Sequence, residues 1–530
     1  MPTRRQLLHA AGASAAVTVI APPSVVLGQG RRARLLRGGR FRQGVMSGEP
    51  TPGSIVLWTK VDDVETSGLV NLEVATDRGF RKVVATERIP TSRRTDWSAK
   101  ARVNGLRPST NYFYRFETAT RQSPVGRFRT APPADSNTPI RFAFFSCQEF
   151  THGFYNAHAA LAEEDDLDFV VNLGDYIYET PLGLNSETGP YTKVRNDTVG
   201  DARTLSQYRA KYALYRSDPA LRAVHQRFPL VSIWDDHEVE DNYAGGDPSS
   251  EDFDATRRRT GYRAWFESMP LFPYSTGGTR IYRNLRFGRN VELFMLDQRQ
   301  YRDNQPCGDK AGPPCPERDM ARDYLGNQQM RWLKERLRAS KAGWKVIGNE
   351  LPIFSQKAGD SYIPEFDAWG NGYPVERQEL LTHIRDRDIS GVTFITGDVH
   401  YFAGCDVRVD NDKADSVVAH DFVGGSISSA SPGESSFPIG GGAALKGNDQ
   451  NPDTPPGILE LLEGFNPWLD AADIDHHGYA VVEATRAELD VRMRRMATIK
   501  KRSTTRLKDM RWTVERGQKS ILGQNKSTDF

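Results

Sequence analysis

The sequence predicts an α/β, or α+β, domain in which helices flank β-sheets, preceded by a small all-β sandwich domain of the fibronectin or immunoglobulin type. Two observations support this prediction. Residues 44–131 contain short runs of β-forming residues separated by turns. After residue 138, strand-like runs alternate with helix-like runs. The 530 residues are enough for two or three domains with sizeable cores.

The first 29 residues resemble a twin-arginine export signal, in which Arg4 and Arg5 precede a weakly apolar stretch. A weak cleavage site follows near residue 28. An uncleaved membrane anchor is the alternative, since about 20 apolar residues can span a bilayer. His9 and Pro22 interrupt the stretch and argue against an anchor. We therefore expect the twin-arginine machinery to export the folded protein to the periplasm or extracellular space, with no transmembrane segment in its mature form.

Residues 40–131 are predicted to form the β-sandwich domain. Its strands are predicted at SIVLWTKV, LVNLEVAT, KVVATERI, KARVNGL, NYFYRFET and GRFRTAP. The stretch GLRPSTNYFYRFE resembles the corner and following strand of a fibronectin-type sandwich, with Tyr112 as the candidate corner tyrosine. A proline-rich linker, residues 131–139, follows.

Residues 138–510 are predicted to form the catalytic domain, and residues 511–530 a C-terminal tail. Strands are predicted at IRFAFFS, LDFVVNL, PLVSIW, NVELFML, WKVIGN and GVTFIT, with helical runs between them. Residues 424–442 are rich in glycine and serine and are predicted to be a loop. Residues 479–496 are predicted to form two antiparallel strands.

Charge and cysteine content narrow the functional classes. The formal net charge of +2 provides no basic field, so we expect no nucleic-acid partner. Cys307 and Cys315 flank a proline- and glycine-containing loop, and in an exported protein we expect them to form a disulfide. Cys147 and Cys405 lie far from that loop in sequence and need separate explanations.

Polar residues follow the predicted strands at the points where the strands end. Cys147 follows IRFAFFS, and Asp175 and Tyr178 follow LDFVVNL. The remaining strand ends carry residues 235–238, 297–299, 349–350 and 397–400. Ligands bind at the carboxyl edge of the strands in layered α/β sheets. Carboxylates that meet there repel one another unless a cation neutralises them, so the pattern predicts a metal site.

Each of these signals is weak by itself. An aspartate at a strand end is often a turn former or a helix cap. A single cysteine after a strand is more often a small buried apolar residue than a ligand. The prediction of a metal site therefore depends on the occurrence of several such residues, in order, at successive strand ends.

The motifs FSCQ, NLGDYIYE, WDDHEVEDNY, LDQRQYR and GDVHYF resemble those of the PhoD-type alkaline phosphatases and phosphodiesterases. These enzymes belong to the calcineurin-like metallophosphoesterase superfamily, and the resemblance covers nearly the whole chain. It implies the metallophosphoesterase fold, a sandwich of β-sheets flanked by helices. It also implies a secreted, metal-binding alkaline phosphatase whose substrates are phosphate monoesters, diesters or both.

The resemblance also implies a set of metal ligands. The GDxxY motif is shared with purple acid phosphatases, which implies that Asp175 bridges two metals and Tyr178 binds ferric iron. Cys147 stands in Ser-Cys-Gln, where the superfamily normally has Asp-x-His, and the resemblance to PhoD enzymes makes it an iron ligand. The full implied set is Cys147, Asp175, Tyr178, Asp236, Asp398 and His400.

Three residues receive catalytic roles by the same comparison. His237 takes the place of the catalytic histidine, and Asp236 stands at the second-metal position, where an asparagine is often found. Arg299 is a candidate for phosphate binding, with ion pairing to an aspartate as the alternative. Asn349 replaces a histidine that is common in the superfamily. This gain of oxygen donors favours hard cations, which fits the centre of Fe3+ and Ca2+ that the resemblance implies, with Zn2+ or Mn2+ as the alternative.

Two other functions remain open at this stage. A phospholipase D-like phosphodiesterase of the same family is one, and the C-terminal tail would favour small monoesters if it covered the site. A non-catalytic exported binding protein, which uses the β-sandwich for adhesion, is the other. A serine-nucleophile phosphatase is disfavoured, because no Asp-x-Ser nucleophile stands at any of these strand ends.

Overall fold

The computed structural model describes residues 18–20, 34–181, 193–246, 254–275, 278–309, 312–362, 367–434, 437–439, 443–445 and 458–525. Apart from residues 18–20, the predicted export signal lies outside the described residues. Within the described ranges, no helix is both long enough and apolar enough to cross a membrane.

The described residues before position 130 contain eight strands, of which the last six correspond to the strands predicted for the β-sandwich and the first lies within the predicted export signal. In chain order they are β1 (Thr18–Ile20), β2 (Val45–Gly48), β3 (Ser54–Lys60), β4 (Gly68–Ala75), β5 (Val83–Thr91), β6 (Ser98–Asn104), β7 (Asn111–Glu117) and β8 (Gly126–Arg129). The hydroxyl of Tyr112 accepts a hydrogen bond from the backbone N–H of Arg107 at 2.9 Å, which confirms the tyrosine corner.

The predicted alternation of strands and helices is present after residue 138. The first half contains β9 (Ile140–Phe145), α1 (Asn156–Ala162), β10 (Phe169–Leu173), α2 (Leu205–Tyr215), α3 (Pro219–Arg227), β11 (Leu230–Ile233), α4 (Ala255–Ser268), β12 (Arg283–Phe287), β13 (Val291–Met295), α5 (Gly326–Ala339) and β14 (Trp344–Asn349).

The second half completes the domain. It contains β15 (Lys357–Ala358), β16 (Ser361–Tyr362), α6 (Trp369–Gly372), α7 (Pro374–Asp386), β17 (Val392–Thr396), β18 (Phe402–Arg408), β19 (Val417–Gly424), β20 (Phe437–Ile439), β21 (Ala443–Leu445), α8 (Ile458–Phe465), β22 (Leu469–Asp473), β23 (His477–Ala484), β24 (Glu488–Met496) and β25 (Met510–Glu515). The predicted antiparallel strand pair corresponds to β23 and β24.

One sheet of ten strands runs through both parts of the chain, in the order β1-β6-β3-β2-β11-β10-β9-β23-β24-β25. The link between them is the parallel pairing of Leu230 in β11 with Gly48 in β2. The sandwich strands β5, β4, β7 and β8 form a separate sheet. The N-terminal β-sandwich therefore shares a sheet with the following domain, which strand patterns along the sequence do not indicate.

A second sheet, in the order β12-β13-β14-β17-β19-β18-β22, packs against the first. The rings of Phe169 and Phe287, one from each sheet, stack at 4.2 Å between centroids. Trp512 of β25 lies 5.7 Å from Phe422 of β19 by the same measure. Burial of such aromatic side chains is a major stabilising contribution. Helices α5 and α7 cover the outer face of the second sheet, so the predicted fold class is confirmed.

The two sheets bring their parallel strands to a common edge. Strands β9, β10 and β11 are mutually parallel, as are β13, β14, β17 and β19. Because parallel strands end on the same side, the loops that follow them converge.

The C-terminal tail takes a different course from the one hypothesised. Residues 510–515 form the edge strand β25. The Ser520 hydroxyl then donates to Asp406 at 2.6 Å, and the Asn525 N–H donates to Asp470 at 2.9 Å. In the described residues the tail therefore follows the edge of the first sheet and then contacts the second sheet, rather than covering the converging loops. Elsewhere, Cys307 and Cys315 are disulfide-bonded, as expected, and Cys405 is buried.

Candidate metal centre

The structure brings all six predicted metal ligands together at the shared strand edge. Five of them, together with Asp235 and His237, form three overlapping groups whose potential ligand atoms lie within 4.8 Å of one another. The sixth, Tyr178, has its hydroxyl oxygen 2.9 Å from Asp175 Oδ2 and 3.2 Å from His400 Nε2. The groups are Cys147, Asp175 and His400; Asp175, Asp236 and His237; and Asp235, Asp236 and Asp398. Asp175 and Asp236 each belong to two groups, so the three groups form one continuous cluster.

Four of these six residues have a left-handed backbone. The φ angles are 54° at Cys147, 52° at Asp175, 66° at Asp398 and 58° at His400. Residues other than glycine seldom adopt this conformation, and backbone strain of this kind concentrates at functional sites. In each case the conformation occurs within a few residues of a strand end, where the chain must turn sharply.

Cys147 follows β9 and is completely buried. Its carbonyl accepts hydrogen bonds from the N–H groups of Ser428 at 3.3 Å and Ser429 at 3.2 Å. Burial, together with the nearby carboxylates of Asp175 and Asp398, raises the pKa of the thiol well above its usual value. A cation beside the sulfur would reverse this effect and favour the thiolate.

The side chains of Asp175 and Tyr178 contact each other directly. The Tyr178 hydroxyl donates to Asp175 Oδ2 at 2.9 Å and lies 3.2 Å from His400 Nε2. Burial is the main reason that the pKa values of both groups are raised well above their usual values. Asp175 Oδ1 is buried and has no hydrogen-bond partner among the described residues. Such an oxygen is costly unless something pairs with it, so this donor set fits a metal ion.

His400 presents one ring nitrogen to this group. Its Nδ1 lies 2.9 Å from the carbonyl oxygen of Ala430, so Nδ1 carries the proton. Burial lowers the pKa of His400 to about 3, which keeps the imidazole neutral. A neutral ring whose other nitrogen is fixed by a carbonyl is the usual arrangement of a metal-binding histidine.

His237 is positioned by a carboxylate that the sequence analysis did not single out. Its Nδ1 lies 2.8 Å from Glu179, and its ring lies 4.0 Å from that of Tyr178 between centroids. Burial alone would lower the pKa of His237, but the carboxylates of Asp236 and Glu179 outweigh it and raise that pKa well above its usual value. His237 is therefore suited to hold a proton.

Asp236 is held in its ionised form. Its carboxylate accepts hydrogen bonds from the N–H groups of Asn242 at 2.7 Å and His237 at 3.0 Å. Burial opposes ionisation, but Arg299 and His237 outweigh it and hold the pKa of Asp236 well below its usual value.

Arg299 is completely buried among carboxylates. It donates to Asp367 and Asp398 at 3.2 Å each and also to Asp235. These bonds engage both of its terminal nitrogens, which favours the ion-pairing alternative over direct phosphate binding. Arg299 supplies positive charge to the group formed by Asp235, Asp236 and Asp398. Asp235 Oδ2 nevertheless remains without a hydrogen-bond partner among the described residues.

Asn349 makes its hydrogen bonds within the protein. Its side-chain oxygen accepts from Trp369 Nε1 at 3.1 Å, and its side-chain nitrogen donates to Thr396 at 3.2 Å. The Asn349 side chain therefore joins the end of β14 to β17 and α6.

Three residues near the centre were not anticipated from the sequence. Glu179 is the last residue of GDYIYE, and its place in that motif was a weak signal for a role at the site. Ser429 lies in the glycine- and serine-rich segment interpreted as a loop, and its hydroxyl lies 2.7 Å from that of Tyr178. Asp367, which pairs with Arg299, follows no predicted strand.

Comparisons with known proteins identify the family of this chain. The PhoD-like phosphatase family matches residues 142–493, and the N-terminal domain of the same family matches residues 29–132. Alkaline phosphatase D of Bacillus subtilis (strain 168) is 38% identical over 413 residues, which cover 74% of this chain and 70% of that protein.

Two solved structures are similar to this chain, one in sequence and fold and the other in fold. A structure of PhoD superposes with a TM-score of 0.81 at 31% identity and covers 93% of this chain and 94% of its own. A purple acid phosphatase, PPD1 of yellow lupin (Lupinus luteus), has a TM-score of 0.52 at 13% identity, over 88% and 73% of the two chains, and shares the fold. On the family match and the extent of these similarities, this chain belongs to the PhoD-like phosphatase family.

Proposed function

We propose that the chain is an alkaline phosphatase that hydrolyses phosphate monoesters, diesters or both at the buried centre. The observation that carries this proposal is the convergence of six potential ligands at one strand edge. One oxygen among them, Asp175 Oδ1, has no hydrogen-bond partner in the part of the chain that the structure describes. Membership of the PhoD-like phosphatase family and the Bacillus alkaline phosphatase D relative support a phosphoric ester hydrolase.

The chemistry of the donors supports Fe3+ together with Ca2+. Cys147, Asp175, Tyr178 and His400 would hold the iron, because a thiolate and a phenolate need a strong Lewis acid to remain deprotonated. Carboxylates such as Asp236 and Asp398 would hold the calcium, which prefers oxygen ligands. When bound, these cations would supply Lewis acidity toward the phosphate oxygens and make the attacking water more acidic.

The protein's own groups complete the reaction. His237 holds a proton that it can donate to the leaving oxygen, so that an alcohol departs. Glu179 fixes the orientation of the His237 ring through Nδ1. Arg299 contributes indirectly, because its guanidinium forms ion pairs with Asp235 and Asp398 and thereby fixes their positions. The water that attacks phosphorus must approach in line with the leaving group.

We further infer export through the twin-arginine pathway. Arg4 and Arg5 and the apolar stretch that follows them support this inference. Replacing both arginines by lysine should hold the full-length protein inside the cell without changing the activity of the purified enzyme. Phosphatase assays on separated cell fractions test this, and undiminished export of the double variant would contradict it.

Asp175→Asn should remove most of the activity on both monoester and diester substrates. A bridging carboxylate contributes several kcal/mol of metal and transition-state binding, so we expect a loss of about a thousandfold or more in kcat/KM. Asp166→Asn is the matched control. Asp166 has the same left-handed backbone, with φ of 55°, but it is exposed and lies before β10 rather than after it. If Asp175→Asn retained normal activity in folded protein, the proposed centre would be wrong.

Glu179→Gln should shift the alkaline limb of the pH profile of kcat/KM to lower pH. A neighbouring carboxylate favours the protonated imidazole, so its removal lowers the pKa of His237. The enzyme would then lose its proton donor at a lower pH. Glu240→Gln is the control, since Glu240 pairs with Arg257 and not with His237. An unchanged alkaline limb in Glu179→Gln would show that His237 does not set it.

A further inference from the structure

The hydroxyl of Ser429 occupies a distinctive position beside Tyr178. Ser429 follows β19 and is completely buried. Its Oγ lies 2.7 Å from the Tyr178 oxygen and accepts a hydrogen bond from the backbone N–H of Glu149 at 3.0 Å. The hydroxyl therefore connects the loop after β9 with the predicted phenolate ligand after β10.

The available protons determine which group donates in the hydrogen bond between Ser429 Oγ and the Tyr178 oxygen. The Glu149 N–H can only donate, so Ser429 Oγ is its acceptor. The Tyr178 proton has two acceptors other than Ser429, which are Asp175 Oδ2 at 2.9 Å and the unprotonated His400 Nε2 at 3.2 Å. The Ser429 proton is then directed to the Tyr178 oxygen, which has room to accept it. This bond does not depend on the Tyr178 proton and persists when that proton is lost.

The backbone around Ser429 is anchored to two other predicted ligands. The Ser429 N–H donates to the Cys147 carbonyl at 3.2 Å, and the Ala430 carbonyl accepts from His400 at 2.9 Å. The Ser426 hydroxyl donates to the Ser429 carbonyl at 2.6 Å. The serine loop, residues 426–430, is therefore tied to Cys147, Tyr178 and His400 together.

We propose that Ser429 is a positioning residue that keeps a hydrogen bond on the Tyr178 oxygen when a metal ion replaces the phenol proton. This proposal rests on the proposed function, in which Tyr178 binds iron as a phenolate. A hydrogen bond withdraws electron density from a phenolate and weakens it as a donor. Ser429 would thereby keep the iron a stronger Lewis acid than an unassisted phenolate would allow.

The test is optical and does not depend on turnover. Metal-free wild-type, Ser429→Ala and Ser429→Thr proteins are each reconstituted with Fe3+, and the phenolate-to-iron charge-transfer band is recorded. Loss of the hydrogen bond makes the phenolate richer in electrons, so we expect the band of Ser429→Ala to move to longer wavelength and the Fe3+/Fe2+ midpoint potential to fall. Ser429→Thr retains the hydroxyl and should restore the wild-type band.

Ser428→Ala is the matched control. Ser428 is an equally buried neighbour in the same loop, but its hydroxyl donates to the Glu149 carbonyl at 2.8 Å and not to Tyr178. This variant should leave the band unmoved, which separates loss of the hydrogen bond from general disturbance of the loop. Thermal unfolding of each variant establishes that it is folded before the spectra are compared.

Two results would overturn the proposal, and they differ from each other. If Ser429→Ala is folded and has the wild-type band and potential, the hydrogen bond has no influence on the metal and Ser429 has no such role. If the wild-type protein itself develops no phenolate band with Fe3+, and Tyr178→Phe binds iron equally well, then the assignment of Tyr178 as an iron ligand also fails.

Discussion

Burial of several acidic groups in one place is the constraint on which the rest of this structure depends. Cys147, Asp175, Tyr178 and Asp398 each have a pKa raised by burial and by neighbouring negative groups. Burying unpaired charge costs several kcal/mol per group, so such a cluster persists only if its members stay protonated or a cation neutralises them. Arg299 supplies positive charge beside Asp398 and the protonated His237 supplies it beside Asp175. Asp175 Oδ1 nevertheless has no hydrogen-bond partner among the described residues.

The ends of the strands bring the buried acidic groups together. Parallel strands from both sheets end at one edge, and left-handed residues turn the chain sharply beyond them. Buried aromatic contacts such as Phe169 with Phe287 hold the two sheets together away from the centre. Around the ligands, Glu179, Ser429 and the Ala430 carbonyl fix individual atoms of His237, Tyr178 and His400. Rigid strands thus set the approximate positions, and hydrogen bonds from loops refine them.

Local patterns in the sequence predicted much of this arrangement. Short β-rich runs and alternating helical runs predicted many of the strands and helices, because each element shows its own periodicity. Four strands of the second sheet, β12, β18, β19 and β22, were not predicted. The order of polar residues at strand ends predicted the cluster, since parallel strands share an edge. Long-range pairings could not be predicted in this way, and the link of Gly48 with Leu230 is an example. Ser429 and Asp367 were missed because their roles arise from contacts between segments distant in sequence.

The metal content of the mature protein tests this account most directly. The protein should be purified from a host that exports it folded, and its metals measured by mass spectrometry alongside a count of folded chains. The donor set of thiolate, phenolate and carboxylates predicts about one iron per chain together with calcium. Two zinc or manganese ions would keep the hydrolase but contradict the roles of Cys147 and Tyr178. Folded, active protein without bound metal would contradict the central claim.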